Sequence, residues 1–424
     1  MWKGRLGGAL LALATAFAAQ GARAQDGLIV SAAIPQGVDR GRNLSVAQRL
    51  RPAYTPSGAR IGGLMIFPRL RTAAGGTSNS YLAPSNGRPS AFVSLAPAVE
   101  VASLWSRHAL RLQAEALDRR YLNESRRNER TWTLAGEGEL ELGATLRATP
   151  RLAASQQVEG PLSGEVDAAQ AAVSRFRRDL ASVRVQHVSG RIRTFVIADA
   201  ATFRFAPVRR ADGTRLDQSG RDREVIRVTG QFEYARSPAL SLFVQAGHTT
   251  TRFTAPGRAP LGSDMIRLAA GLNVDLAQRA RGTIAIGHVD RHYISGEHRG
   301  GLVAEGALEL FPTQRLTLSA KARRSLEDAT YGNRRPRPFW DDRLSAGVDY
   351  ELLANLILIA TADAARQMEI AAPNRRTIRR VGAGARYLVS RRITLDAAIG
   401  HVVRDGAATA VRETRGQTGL TFHL

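Results

Sequence analysis

The chain has 424 residues, a formal net charge of +23 and no cysteine. Without cysteine the chain has no disulfide, no thiol catalysis and no cysteine metal site, so packing and hydrogen bonds alone must hold the fold. Nearly all of the positive charge is arginine. This favours anionic partners, such as lipopolysaccharide phosphates or acidic polysaccharide, or else a genome rich in arginine codons with many arginines paired to acids.

Residues 1–24 predict a secretory signal peptide. The basic residues Lys3 and Arg5 precede an apolar run over residues 6–19, and Ala22-Arg23-Ala24 has the small-x-small pattern that signal peptidase cleaves. The run is too short to cross a membrane as a helix, and no later apolar stretch approaches the roughly 18 residues that such a helix needs. We therefore expect export from the cytoplasm, which argues against nucleic acid as a partner.

Residues 25–58 predict a periplasmic N-terminal extension. This segment contains Pro35, Gly37 and Gly41 and has no sustained alternation of apolar and polar residues. It is too short for a folded plug domain. The alternative is a segment that enters the lumen of the domain that follows.

Residues 51–72 read RPAYTPSGARIGGLMIFPRLRT. The prolines favour a stiff, extended chain, and the glycines permit a tight bend before the first strand. The string resembles the family called putative beta-barrel porin 2 at Arg51, Pro52, Tyr54, Pro56, Gly58, Arg60, Gly62, Pro68 and Leu70. The resemblance implies an outer-membrane β-barrel over most of residues 50–424, without catalytic residues, and some members of that family look linked to exopolysaccharide export.

Alternation of apolar and polar residues runs through the rest of the chain and predicts β-strands. Clear examples are residues 110–116, 132–142, 226–234, 266–274, 316–322 and 393–399. A soluble sandwich would bury the apolar face, whereas a transmembrane barrel would turn that face to lipid.

Three features favour the barrel. The strand segments run to about 11–15 residues, whereas strands of soluble proteins average about 5–6. Short turns, as at Ser106-Arg107 and Ala354, alternate with longer polar links, as at residues 122–130. Aromatic residues that suit a membrane interface lie near the short turns, at Trp105, Tyr234, Tyr350 and Tyr387.

We therefore predict an all-β fold for residues 59–424. It is a transmembrane antiparallel up-and-down β-barrel of about 18 strands, with 16 as the alternative, and it has short periplasmic turns and longer outer loops.

Charged residues on the polar face of these strands are predicted to line the pore. They are Arg111, Glu115, Glu137, Glu139, Glu141, Arg227, Glu233, Arg267, Lys321, Arg323, Arg380 and Arg386. Rows of opposite charge across a water-filled lumen would set ion selectivity. The alternative is that these groups pair with one another and fill a narrow lumen.

The segment GQTGLTFHL, residues 416–424, predicts the strand that closes the barrel. Leu420, Phe422 and Leu424 share one apolar face. Lipid cannot hydrate an open sheet edge, so the last strand must pair with the first. The same residues are candidates for recognition by the barrel insertion machinery.

His288, Asp290 and His292 share one face of a strand, within plausible reach of one metal ion. They continue an apolar face towards the outer rim, where contact with lipopolysaccharide phosphates is the simpler interpretation. No serine, histidine and acid motif of a barrel phospholipase is recognisable. We predict no enzyme activity, no cofactor and no metal site.

These observations predict a porin-like conduit for small hydrophilic solutes, with anionic solutes among the candidates, in the outer membrane of a Gram-negative bacterium. The alternatives are an outer-membrane component of exopolysaccharide export, acting with periplasmic partners, and a structural barrel with a closed lumen. The expected partners are outer-membrane lipid and lipopolysaccharide and the insertion machinery, and a homo-oligomer is compatible with the sequence.

Overall fold

The computed structural model describes residues 43–159, 173–209, 213–277, 279–329, 337–370, 375–406 and 410–424. The predicted signal peptide and residues 25–42 of the predicted extension lie outside these ranges. Within them, no helix is both long enough and apolar enough to cross a membrane.

The described secondary structure consists of β-strands and three short 3-10 helices. The strands of the first half are β1 (Ala59–Ile61), β2 (Leu64–Thr77), β3 (Ser90–Ser103), β4 (Ala109–Tyr121), β5 (Glu129–Glu141), β6 (Leu146–Val158), β7 (Arg175–Ser189), β8 (Ile192–Phe205), β9 (Val208–Arg209) and β10 (Arg215–Leu216). The strands of the second half are β11 (Arg223–Ser237), β12 (Leu240–Phe253), β13 (Ser263–Leu276), β14 (Ala280–Tyr293), β15 (His298–Thr313), β16 (Leu316–Ala329), β17 (Arg337–Leu353), β18 (Leu356–Glu369), β19 (Arg375–Leu388), β20 (Ile393–Asp405) and β21 (Val411–His423). The 3-10 helices are Ser125–Arg127, Ser219–Arg221 and Ala259–Leu261.

Eighteen of these strands, β2–β8 and β11–β21, form one closed antiparallel barrel. Each strand pairs with the next along the chain, and β21 pairs with β2. The barrel strands contain 13 to 17 residues, enough to cross a bilayer at a tilt. The prediction of an up-and-down barrel with about 18 strands is confirmed.

Side chains alternate between an exposed outer face and a buried or half-buried inner face. On β11, Ile226 and Val228 are 54% and 45% exposed, whereas Val225 and Gln231 are 3% and 5% exposed. The same alternation recurs around the barrel because successive side chains of a strand point to opposite faces. Exposed leucine, isoleucine and valine on the outer face suit contact with lipid.

Connections alternate in length between the two ends of the barrel. Tight turns lie at the end that holds the start of β2 and the end of β21, and longer links lie at the opposite end, as predicted. The link between β14 and β15, residues 294–297, is an exception because it is as short as a periplasmic turn.

The first strands enter the wall through a bend that requires glycine. β1 and β2 form a hairpin around Gly62, whose φ is 56°. Gly58 has a φ of 66°, and a Cβ atom there would lie 2.6 Å from the ring of Phe67. Both glycines therefore occupy a left-handed conformation that other residues rarely adopt.

The barrel closes along the last strand. Paired residues run from Arg69 with His423 to Thr77 with Arg415. The backbone N–H of Leu424 donates a hydrogen bond of 3.2 Å to the carbonyl oxygen of Pro68. Leu420 and Phe422, on the outer face of β21, therefore lie on a strand with a partner on each side.

Candidate functional site: the inner wall of the barrel

The described part of the N-terminal extension contacts the inner face at the periplasmic end. The Asn43 side chain donates a hydrogen bond of 2.6 Å to Asp275 at the end of β13. The backbone N–H of Val46 donates one of 2.9 Å to the hydroxyl of Thr317 at the start of β16, and Val46 is fully buried. A short turn of the extension is therefore seated against the inner wall.

Two arginines of the extension hold it to β17. Arg49 and Arg51 lie 3.2 Å and 2.7 Å from the same carboxylate oxygen of Glu351. Burial lowers the pKa of Arg51 below its ordinary value, and the charge of Glu351 opposes that shift. The buried guanidinium also donates hydrogen bonds to the carbonyl oxygens of Val46 and Ala354. These contacts place the extension over the side of the lumen formed by β13–β17.

Most of the predicted pore-lining residues lie within ion-pair distance of an opposite charge on the inner face. The pairs are Arg111 with Glu100 (3.1 Å), Glu115 with Arg69 (3.8 Å), Glu139 with Arg147 (3.1 Å), Glu141 with Arg147 (3.5 Å), Arg227 with Asp199, Glu233 with Arg193, Arg267 with Glu305 (3.7 Å) and Arg323 with Glu327 (3.5 Å). The inner wall is thus largely a network of paired charges. The role of these residues in conduction stays a prediction.

The strand register shows which residues neighbour the remaining predicted pore-lining residues. Glu137 stands between Arg111 and Arg151 on the neighbouring strands. Two arginines of β19 stand beside acids, Arg380 opposite Asp363 and Arg386 opposite Asp396. Lys321 is exposed on β16, and it forms no ion pair within the described ranges.

The wall formed by β16–β18 contains the most buried acid of the lining. Asp341 is fully buried, and it accepts a hydrogen bond of 2.5 Å from Nε of Arg343 and one of 3.2 Å from Gln367. Arg323 lies 3.7 Å from the same carboxylate and 3.5 Å from Glu327. Arginine on this wall is therefore held in place by acids.

The wall formed by β6–β8 uses arginine differently. Arg151, Arg178 and Arg184, which we call the arginine column, form no ion pair in the described part of the chain. The guanidinium of Arg178 lies 5.7 Å from the ring centre of Phe203, and that of Arg184 lies 4.5 Å from the ring centre of Phe195. Aromatic faces attract these cations without neutralising them.

The arginine column runs along the depth of the barrel. Arg178 and Arg184 are six residues apart on β7, which corresponds to about 20 Å along an extended strand. Arg151 on β6 pairs with Ser182, at a level between them. The column therefore presents positive charge from the outer third of the wall to the end of its middle third.

An ion pair crosses the strand that closes the barrel. Arg71 on β2 reaches over β21 to Asp396 on β20, with nitrogen–oxygen distances of 3.2 Å and 2.8 Å. Gly419 lies beneath the pair, and a Cβ atom there would approach Arg71 Nη2 to 2.5 Å and Asp396 to 2.8 Å. The pair thus ties the first strand to the strand before the last.

The predicted group of His288, Asp290 and His292 lies apart from the inner wall. These residues share the outer face of β14 with Ile284 and Ile286, whose side chains are 57% and 62% exposed. The structure adds His298 of β15, which stands opposite His292 in the register.

The sequence analysis did not single out the arginine column or the Arg71–Asp396 pair. Period-two alternation would have placed Arg178 and Arg184 on the inner face, because Val183 and Val185 mark the outer face of β7. That these arginines form no ion pair within the described ranges becomes visible only when the strands are assembled.

A sequence model of the family described as putative beta-barrel porin 2 matches residues 51–423. No curated protein matches the chain. Similar solved structures include OpdL of Pseudomonas aeruginosa, at 12% identity, a TM-score of 0.47 and coverage of 86% of this chain and 99% of that one. OccK2 (OpdF) of the same organism, solved in complex with glucuronate, has 10% identity, a TM-score of 0.47 and coverages of 85% and 98%. The siderophore receptor PirA of Acinetobacter baumannii has 6% identity, a TM-score of 0.46 and coverages of 85% and 80%.

Proposed function

This chain belongs to the putative beta-barrel porin 2 family of the Gram-negative outer membrane, and we propose that it is a porin-like conduit for small hydrophilic, anionic solutes. An 18-stranded backbone is wide enough to enclose an aqueous channel. The inner face is charged and the outer face is apolar, which suits a water-filled lumen in lipid. Transport by a barrel of this kind requires no catalytic group.

The arginine column is the observation that carries the anionic preference. A solute in the lumen meets Arg178 and Arg184 as cations whose neighbours are phenylalanine rings. Guanidinium groups that are not engaged in an ion pair can bind the carboxylate or phosphate of a passing solute through charge-assisted hydrogen bonds. A row of such groups along the wall would offer successive weak sites, and conduction requires sites of this kind.

The N-terminal extension is compatible with an open path. Its described contacts lie on β13, β14, β16 and β17, away from the arginine column on β6 and β7. We infer that the extension narrows one side of the periplasmic mouth and leaves the basic wall open to solute.

Single-channel recording tests this function. The full-length protein, purified from outer membranes and shown to be folded by its heat-modifiable gel mobility, is inserted into a planar bilayer. Steady conductance steps that are absent from a heat-denatured sample are the expected result. A folded barrel that inserts and stays silent would contradict the conduit and favour a structural barrel with a closed lumen.

A further inference from the structure

A group of three metal-ligating side chains lies on the outer face of the barrel, at the outer rim. Asp290 and His292 are two residues apart at the end of β14, so both side chains point to the same face. His298 begins β15 and is the register partner of His292 across the hairpin. A rigid two-stranded hairpin therefore brings one carboxylate and two imidazoles together.

The ligand atoms of this trio converge. Asp290 Oδ2 lies 3.1 Å from His292 Nε2, and Asp290 Oδ1 contacts Nε2 of His298. The two imidazole ring centres are 4.6 Å apart. Within the described residues, one ligand atom from each of the three side chains lies within 4.8 Å of the others. This spacing is close to that of donors that share one ion.

Imidazoles are the partners that the described residues offer to the carboxylate of Asp290. Oδ1 is shielded from solvent and contacts Nε2 of His298, and Oδ2 faces Nε2 of His292. A nearby rim acid, Asp264, differs because Thr250 and Arg252 donate hydrogen bonds of 2.6 Å and 3.0 Å to it. Asp290 therefore lacks a partner with a permanent positive charge, and a metal ion shared with the two imidazoles would supply that charge.

Gly300 allows a close approach beside the trio. It is the register partner of Asp290, and a Cβ atom there would lie 3.0 Å from the carbonyl oxygen of Val289, 3.2 Å from Asp290 Oδ1 and 3.5 Å from His288 Nε2. Any other residue at this position would therefore crowd the Asp290 carboxylate and a further imidazole. An ion held by the trio would have His288 within reach as an additional ligand.

We propose that Asp290, His292 and His298 form a binding site for a divalent transition-metal ion, with Zn²⁺ as the best-fitting candidate. Neutral imidazole nitrogen and carboxylate oxygen are ligands that Zn²⁺ prefers, whereas Ca²⁺ and Mg²⁺ prefer oxygen alone. Three protein ligands leave at least one position for water or for an anionic group of the outer leaflet. The site lies on the lipid side of the wall and does not depend on conduction through the lumen.

Calorimetric titration of the full-length barrel with Zn²⁺ tests the site. The protein is purified without a polyhistidine tag, and each variant is first shown to be folded by heat-modifiable gel mobility. We expect one saturable Zn²⁺ per chain. Asp290→Asn and His298→Ala should each weaken binding by about tenfold or more, because each removes a ligand. Gly300→Val should weaken it as well, because the added side chain would crowd Asp290 without removing a ligand.

His248→Ala is the matched control. His248 is an exposed histidine of the same rim, 3.9 Å from Asp264 and outside the trio, so its loss should leave Zn²⁺ affinity unchanged. The proposal is overturned if the folded wild-type protein shows no saturable binding, if the ligand variants bind as tightly as wild type, or if His248→Ala weakens binding equally. Retention of lipopolysaccharide without Zn²⁺ binding would identify a phosphate contact instead and would also overturn it.

Discussion

The walls formed by β6–β8 and by β16–β18 lie on opposite sides of the barrel, and arginines on the two walls differ in what holds them. β7 is the sixth and β18 the fifteenth of the eighteen strands around the ring. On the first wall Arg178 and Arg184 are stacked on phenylalanine, and on the second Arg343 is bonded to the buried Asp341. From this difference we infer two roles for charge on the inner face. Paired arginine would stabilise the wall, and arginine outside an ion pair would be available to solute.

Reversal of charge on the β6–β8 wall is expected to have the largest effect. In the double variant Arg178→Glu and Arg184→Glu, two cations of the lumen become anions, while the phenylalanine rings beneath them are unchanged. We expect an anion-selective conductance to become cation-selective, measured as a change in the sign of the reversal potential in a KCl gradient. The same sign as wild type would show that this wall does not set selectivity.

Loss of a paired arginine should act on stability instead. Arg343→Ala removes the closest partner of the fully buried Asp341, and we expect the free energy of unfolding to fall by about 1–3 kcal/mol because Arg323 and Gln367 remain in contact. Urea unfolding in lipid vesicles measures this. Arg324→Ala is the control: its pair with Asp342 is 40% exposed on the arginine side, so its loss should cost no more than about 1 kcal/mol. Equal losses in the two variants would contradict a stabilising role for the buried pair of Arg343 and Asp341 in this wall.

The pair of Arg71 and Asp396, which crosses β21 where the barrel closes, is expected to contribute to stability as well. Gly419→Ala would place a methyl group where Arg71 reaches Asp396, so we expect the variant to be less stable, by about 1–3 kcal/mol, since the buried pair must separate or shift. Gly416→Ala in the same strand meets nothing closer than 4.0 Å and serves as the control. The urea midpoints of unfolding of the two variants are compared. If Gly419→Ala is as stable as Gly416→Ala, the pair of Arg71 and Asp396 does not stabilise the closure of the barrel.

The smallest effect is expected at the side of the periplasmic mouth that the N-terminal extension contacts. Glu351→Gln removes the negative charge that holds Arg49 and Arg51, so the extension should loosen and single-channel conductance should rise modestly. Glu100→Gln breaks a lining pair with Arg111 that the described part of the extension does not touch, and its conductance should stay near that of wild type. An equal rise in both variants would show that the extension does not narrow the path.

The sequence predicted the barrel because alternation is a local property. The apolar face of β11, with Ile226, Val228 and Phe232, can be read from a few consecutive residues, and the structure places all three among the exposed side chains. Strand number followed from the same pattern repeated along the chain. The family resemblance carried by residues 51–72 agrees with the match over residues 51–423.

Contacts between distant strands could not be predicted in this way. Arg71 and Asp396 are 325 residues apart, and only the closure of the barrel brings them together. The trio at the rim depended on the hairpin register, which sets His298 rather than His288 beside Asp290 and His292. Which arginines lack an acid is likewise decided by several strands together, so the sequence gives the face of a residue but not its partner.

The claim that the arginine column makes the lumen favour anions is tested most directly by the sign of the reversal potential of the wild-type protein. Single channels are recorded in a planar bilayer with a KCl gradient, under conditions where the folded state has been verified. A reversal potential biased towards chloride is the result that an unpaired arginine column predicts. A potassium-biased reversal potential from an open channel would contradict it, because the paired acids rather than the free arginines would then dominate the lumen.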